Sequence, residues 1–206
     1  MTSLTHNRLV APKGQRIGLL GGSFNPAHEG HMHLSRLAFR HLNLDRVWWL
    51  VSPQNPLKSS RGMAPLAARL EKARTVAAHP HICVTDIETR LGTQYTADTL
   101  VALKKKFPGG RFVWLMGADN LVQIDQWYKW TAIFMTLPVA IFARPPYSLR
   151  AENATAVRRF SRSRVDRANA KGLADMKPPA WAYLKTPLNP VSATEIRSRL
   201  EGAWAD

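Results

Sequence analysis

The chain has 206 residues, with 29 Lys plus Arg against 14 Asp plus Glu, a formal net charge of +15 and 45% hydrophobic residues. That length and apolar content exclude a disordered chain and suit one α/β domain with a substantial core. One cysteine, Cys83, excludes an internal disulfide and a cysteine-based zinc cluster, and no run approaches the ~18 apolar residues of a membrane span.

Residues 1–15 lack the apolar centre of a signal peptide, so a flexible leader is expected ahead of a single domain over 16–206, with a cytoplasmic location. "RIGLLGG" (Arg16 to Gly22) reads as a buried strand and "EGHMHLSRLAFRHL" as a helix. "RVWWLVS" is a second strand, followed by a helix over "PLAARLEKARTVAAH" that opens at Pro65. "HICVTD" is a third strand, with Cys83 expected inside. "TADTLVALKKKF" is a helix whose lysines suit the dipole of its last turn. "RFVWLMG" and "LPVAIFARP" are a fourth and a fifth strand. The Arg-rich stretch from Ser148 to Gly172 reads as a solvent-facing helix with Val157, Phe160 and Val165 as sparse apolar points. "WAYLKTP" is a last strand and "SATEIRSRLEG" a closing helix, capped by Ser192 with Glu195 at capping-box spacing. Strands alternating with helices predict a Rossmann-like, doubly wound parallel sheet.

The chemistry concentrates in "GGSFNPAHEGH" (Gly21 to His31). In an open parallel sheet, ligands bind beyond the carboxyl ends of the strands. Gly21 and Gly22 permit a tight turn and leave room for a ligand against the backbone. The helix that follows offers free N–H groups and a positive end to a phosphate. His28 and His31, three residues apart, can both project toward that phosphate and stabilise growing negative charge. Their spacing differs from the HExxH pair and no third ligand is evident, so no dedicated metal site is expected. No acid orients either ring as in a Ser–His–Asp triad. His33 reads as merely polar.

These residues carry a resemblance. "GGSFNPAHEGH" resembles the signature of the HxGH nucleotidyltransferase superfamily. "QYTADTL" (Gln94 to Leu100), "WLMGADNLVQIDQWYKW" (Trp114 to Trp130), "FARP" and "PVSATEIRSRL" (Pro190 to Leu200) are similar to segments of nicotinate-nucleotide adenylyltransferases, in the same order. The resemblance implies adenylyl transfer from ATP to nicotinate mononucleotide, giving nicotinate adenine dinucleotide and pyrophosphate on the way to NAD. It implies in-line attack without an enzyme nucleophile, and Mg2+ carried with ATP.

By matched position the resemblance places Gly21, Gly22, Ser23, Phe24, His28, His31, Asp119, Ser192, Thr194 and Arg197 at ATP, with His31 and His28 catalytic. It places Lys58, Tyr95, Thr96, Trp127 and Tyr128 at nicotinate mononucleotide. The chain departs from the family pattern at "NPLK", where Leu57 stands for a histidine and leaves more phosphate contact to Lys58, and at its end, "GAWAD", where the family continues through another short helical segment. A preference for nicotinamide mononucleotide or phosphopantetheine is the near alternative. A basic nucleic-acid-binding protein using Arg150 to Lys171 is the distant one, and it gives the glycine–histidine cluster no purpose. The expected partners are the two substrates, with no nucleic acid and no membrane; a homo-oligomer is left open.

Overall fold

The computed structural model describes residues 9–53, 62–143 and 147–185, the side chains of residues 148 and 149 excepted. β1 (Arg16–Gly22) leads to α1 (Glu29–Leu42), β2 (Arg46–Val51), α2 (Leu66–Val76), β3 (Ile82–Thr85) and α3 (Ile87–Leu91). α4 (Thr96–Lys106), β4 (Arg111–Gly117), α5 (Ala118–Val122), α6 (Trp130–Thr136) and β5 (Val139–Phe142) follow. After α7 (Ser148–Glu152) and α8 (Thr155–Arg159) come a two-residue β6 (Arg164–Val165) and β7 (Trp181–Leu184). The strands pair parallel in the order β3-β2-β1-β4-β5-β7-β6. β7 therefore inserts between β5 and β6, although β6 precedes it in the chain.

The period of two along each strand builds a core on each face. Ile17, Leu19, Trp48, Leu50, Phe112 and Trp114 face one core, which α4, α5 and α6 cover through Leu100, Leu121 and Phe134. Leu20, Val47, Trp49, Val113 and Leu115 face the other, with Met32, Leu37 and Leu42 of α1 and Leu70 and Ala73 of α2. Strands buried on both faces read as unbroken apolar runs, and that is why they are legible in the sequence. Cys83 is buried as expected, and burial pushes its thiol up. The segment read as a loose leader contributes to this structure: Leu9 lies in the core and the Gly14 N–H donates to the Gly109 carbonyl at 2.8 Å. Among the described residues no helix is long and apolar enough to cross a membrane.

The Arg-rich stretch corrects the expectation of one solvent-facing helix. α7, α8, a 3-10 turn (Ser161–Ser163), β6 and a 3-10 run (Arg167–Asp175) replace it. Its apolar points anchor separately rather than along one stripe. Phe160 stacks on Phe134 with centroids 4.7 Å apart, and its carbonyl accepts from Trp181 Nε1 at 2.7 Å. Val165 pairs with Ala182 at the sheet edge. Asp175 then pairs with both Arg16 and Arg111, joining the starts of β1 and β4.

Gly21 also differs from its expected use. A Cβ there would collide with the outer edge of the Trp114 indole, so the neighbouring strand's ring, not a ligand, claims that space. Trp114 is 2% exposed and held in the core. Gly21→Ala is expected to lower stability in chemical denaturation by about 1–3 kcal/mol, the usual cost of overpacking.

Candidate active site

The strand order reverses between β1 and β4, since the chain steps outward to β2 and β3 on one side and to β5 on the other. Such a switch point opens a crevice at the carboxyl ends of the two strands. β1 delivers the turn Gly22-Ser23-Phe24 and the start of α1 to it. β4 delivers Asp119, in the first turn of α5. Ser52, just past β2, lies against this turn, its N–H donating to the Gly22 carbonyl at 2.9 Å.

His28 is the N-cap of α1 and is 7% exposed. Its Nδ1 accepts the Gly30 N–H at 3.1 Å, while its own N–H donates to His31 Nδ1 at 3.2 Å. This reciprocal capping box is built from two imidazoles. Because each Nδ1 accepts, a neutral ring carries its proton on Nε2, which makes Nε2–H the donor of both rings. The ring centroids are 4.0 Å apart. The N–H groups of His28 and Gly30 are thus spent on the histidines, and the His31 N–H donates to the His28 carbonyl. These three N–H groups are therefore not the free helix donors that were expected. The helix passes its donor capacity outward through the two side chains.

The rings are backed from below. Phe24, 1% exposed, has φ 46°, a left-handed conformation rare for an aromatic residue. It stacks on Trp49 at 5.1 Å and lies 4.5 Å from His31. Trp49 Nε1 donates to Ser35 Oγ, which donates to the His31 carbonyl, at 2.9 and 2.8 Å. Arg69, on α2 and 3% exposed, holds the turn itself. It donates to the carbonyls of Ser23, Ser52, Pro53 and Ala64 at 2.6 to 2.9 Å. Burial lowers the pKa of that guanidinium.

Glu88, on α3 and 5% exposed, accepts from the Ser52 hydroxyl; its Oε2 has no hydrogen-bond partner among the described residues. Burial pushes its carboxyl up to about 7, and the Ser52 bond opposes the shift. At low pH both folded and unfolded chains hold this proton. As pH rises from the ordinary carboxylate range the unfolded chain ionises first, and above about 7 the whole penalty stands. Glu88→Gln is expected to raise the melting temperature at about pH 8 and to change it little near pH 4. An equal shift at both pH values would contradict this.

Tyr95 is the N-cap of α4 and Thr96 its first residue. First-turn N–H groups have no intrahelical acceptor, which suits them to a carboxylate. Tyr95 and Tyr128 lie 4.4 Å apart, with Lys129 Nζ 4.8 Å over the Tyr128 ring and 3.8 Å from Asp98. Trp127 is half-buried against the core, its Nε1 without a partner among the described residues.

A cytidylyltransferase-like family model matches residues 19–199. A probable nicotinate-nucleotide adenylyltransferase of Parvibaculum lavamentivorans is 51% identical over 202 residues, 98% of this chain and 99% of the relative. Another, from Cereibacter sphaeroides, is 53% identical, covering 91% of this chain and 98% of its own length. The chain belongs to the nicotinate-nucleotide adenylyltransferase family. The fold is shared with a Plasmodium falciparum nicotinic acid mononucleotide adenylyltransferase complexed with NaAD, with a TM-score of 0.64 at 19% identity over 89% of this chain and 83% of that one.

Of the residues the family resemblance nominates, Gly21, Gly22, Ser23, Phe24, His28, His31 and Asp119 sit at the ends of β1 and β4. Tyr95, Thr96 and Tyr128 form the second group. Trp127 follows the short 3-10 turn Ile124–Gln126. Asp119 is not a helix N-cap, because Gly117 takes that place. Lys58, Ser192, Thr194 and Arg197 lie outside the described residues. Among the described residues no three His, Cys, Asp or Glu side chains gather as a metal site. Sequence reasoning missed Arg69, Glu88, Ser35 and Trp49. A lone arginine among the small residues of "LAARLEKA" was the visible signal for Arg69.

Proposed function

We propose that this chain transfers the adenylyl group of ATP to nicotinate mononucleotide, yielding nicotinate adenine dinucleotide and pyrophosphate. The observation that carries the reading is the imidazole pair, locked in one tautomer by its own capping box at the switch point of the sheet. The names of relatives about half identical over nearly the whole chain support the same substrates.

In this reading a 5′-phosphate oxygen of the mononucleotide attacks the α-phosphorus of ATP. The bond from that phosphorus to the oxygen bridging toward the β-phosphorus breaks in line, and pyrophosphate leaves with the electron pair. Positioning and charge stabilisation make up most of the task. His31 and His28 supply Nε2–H donors to phosphate oxygens as charge grows on them. Ser23 and Gly22 shape the turn beneath. Asp119 takes a polar group of the ATP ribose, and Ser192, Thr194 and Arg197 take triphosphate oxygens. Thr96 and Tyr95 offer backbone N–H groups to the nicotinate carboxylate, with Trp127 and Tyr128 as flat neighbours of the ring and Lys58 at the mononucleotide phosphate. Imidazoles and backbone amides are poor ligands for Mg2+, which prefers oxygen, so the donor set suits an ion carried by ATP oxygens and water rather than held by the chain.

A product assay tests this. Protein, ATP and Mg2+ are incubated with nicotinate mononucleotide, nicotinamide mononucleotide or phosphopantetheine in turn. Dinucleotide formed chiefly from the nicotinate compound is expected, and turnover of phosphopantetheine alone would overturn the reading. Trp127→Ala is expected to raise KM for the mononucleotide more than it lowers kcat.

A further inference from the structure

At the amino ends of the strands, where β1, β2 and β3 begin, lies a groove of about 1070 Å³. It is about 20 Å from the transfer site, the span of a seven-residue strand. Lys13, Arg36, Arg40 and Arg46 line it, together with Phe39, His79 and His81. One carboxylate, Asp45, shares the lining, and it already accepts the Arg16 N–H at 2.7 Å. Arg36 pairs with Glu29, whereas Lys13, Arg40 and Arg46 have no carboxylate partner among the described residues.

The crowding of positive charge extends past the rim. Desolvation lowers the pKa of His41, and the nearby charges of Arg167, Arg40 and Lys171 lower it further. Like charges held together around a concavity repel, and Asp45 is the one carboxylate among the lining residues against Lys13, Arg40 and Arg46. Guanidinium groups present forked donors that match phosphate oxygens in pairs. Phe39 adds a flat apolar surface, stacked on His79 at 5.1 Å and edged by His81 at 6.4 Å. The groove is open rather than enclosed, so an extended anion can lie along it.

We infer that this groove is a second anion site, separate from the transfer site, that binds an oligophosphate chain through Lys13, Arg40 and Arg46. Two sources share that chemistry, a nucleoside triphosphate and inorganic polyphosphate, and Phe39 with His79 gives the nucleoside form the tighter hold.

Calorimetric titration of the full chain tests the inference. One arm uses α,β-methylene ATP, which cannot turn over, and the other inorganic tripolyphosphate. The comparison is wild type against the double variant Arg40→Glu, Arg46→Glu, neither residue being part of the transfer machinery. The variant is expected to lose one equivalent of bound ligand, or to bind it at least tenfold more weakly, in one arm or both. Its KM for ATP and its kcat are expected to stay within twofold, which shows that the fold and the transfer site are intact. The difference between the two proteins decides, so the result does not depend on whether the first site takes ATP. Equal stoichiometry and affinity in both proteins, in both arms, would overturn the proposal. If the double variant does not fold, Lys13→Glu, on an exposed loop, is titrated in its place against the same criteria.

Discussion

His31→Ala is expected to lower kcat by about 100-fold or more, the scale of losing one preorganised donor at a developing charge. The ring is well placed for such a role because nearly everything around it fixes one orientation. The His28 N–H occupies its Nδ1, Phe24 and Trp49 pack beside it, and Ser35 holds its carbonyl. Alanine removes both the cap and the donor, so a second substitution separates them. His31→Asn retains a side-chain acceptor for the His28 N–H but places nothing at the Nε2 position. It is expected to lose kcat to a similar degree while melting close to wild type, with KM for both substrates changed only a few-fold. Near-normal turnover by His31→Asn would show that the imidazole serves the helix and not the reaction.

Arg69→Met is expected to cost about 4 kcal/mol or more of stability, measured by denaturant unfolding. Four carbonyls that now accept from one guanidinium would be left buried or forced toward water, and each orphaned polar group costs about 1–3 kcal/mol. The bonds at stake reach Ser23, Ser52, Pro53 and Ala64. Lysine restores the charge but not the fork, because an ammonium cannot address carbonyls spread around a plane. Arg69→Lys is therefore expected to fold, to lose less stability, and to raise KM for ATP through a looser Ser23 turn. Wild-type KM with lowered stability would reduce Arg69 to a structural brace.

The parts of this molecule legible in the sequence are those whose signal is local. β1, α1 and β4 begin and end where their apolar runs and caps suggest, because strands buried on both faces and a well-marked helix start carry their own punctuation. The histidine pair is legible for the same reason, since a three-residue spacing fixes its geometry. β6 is two residues long and has no period to read. α3, α5 and α6 are each at most two turns and owe their existence to packing rather than to repeat. Arg69 and Glu88 acquire their roles only when residues up to 46 positions apart meet. Gly21 shows the converse error: its small size is visible in the sequence, but the Trp114 ring that demands it arrives from another strand.

The insertion of β7 between β5 and β6 has a consequence during synthesis. Val139–Phe142, apolar at every position, has nothing to pair with on its outer side until Trp181–Leu184 has left the ribosome. For the whole time that about forty intervening residues are translated, the nascent sheet presents a bare, sticky border of the kind that seeds aggregation. The last of the described strands is the one that closes it, and a message cut short before Trp181 would leave that border open for good.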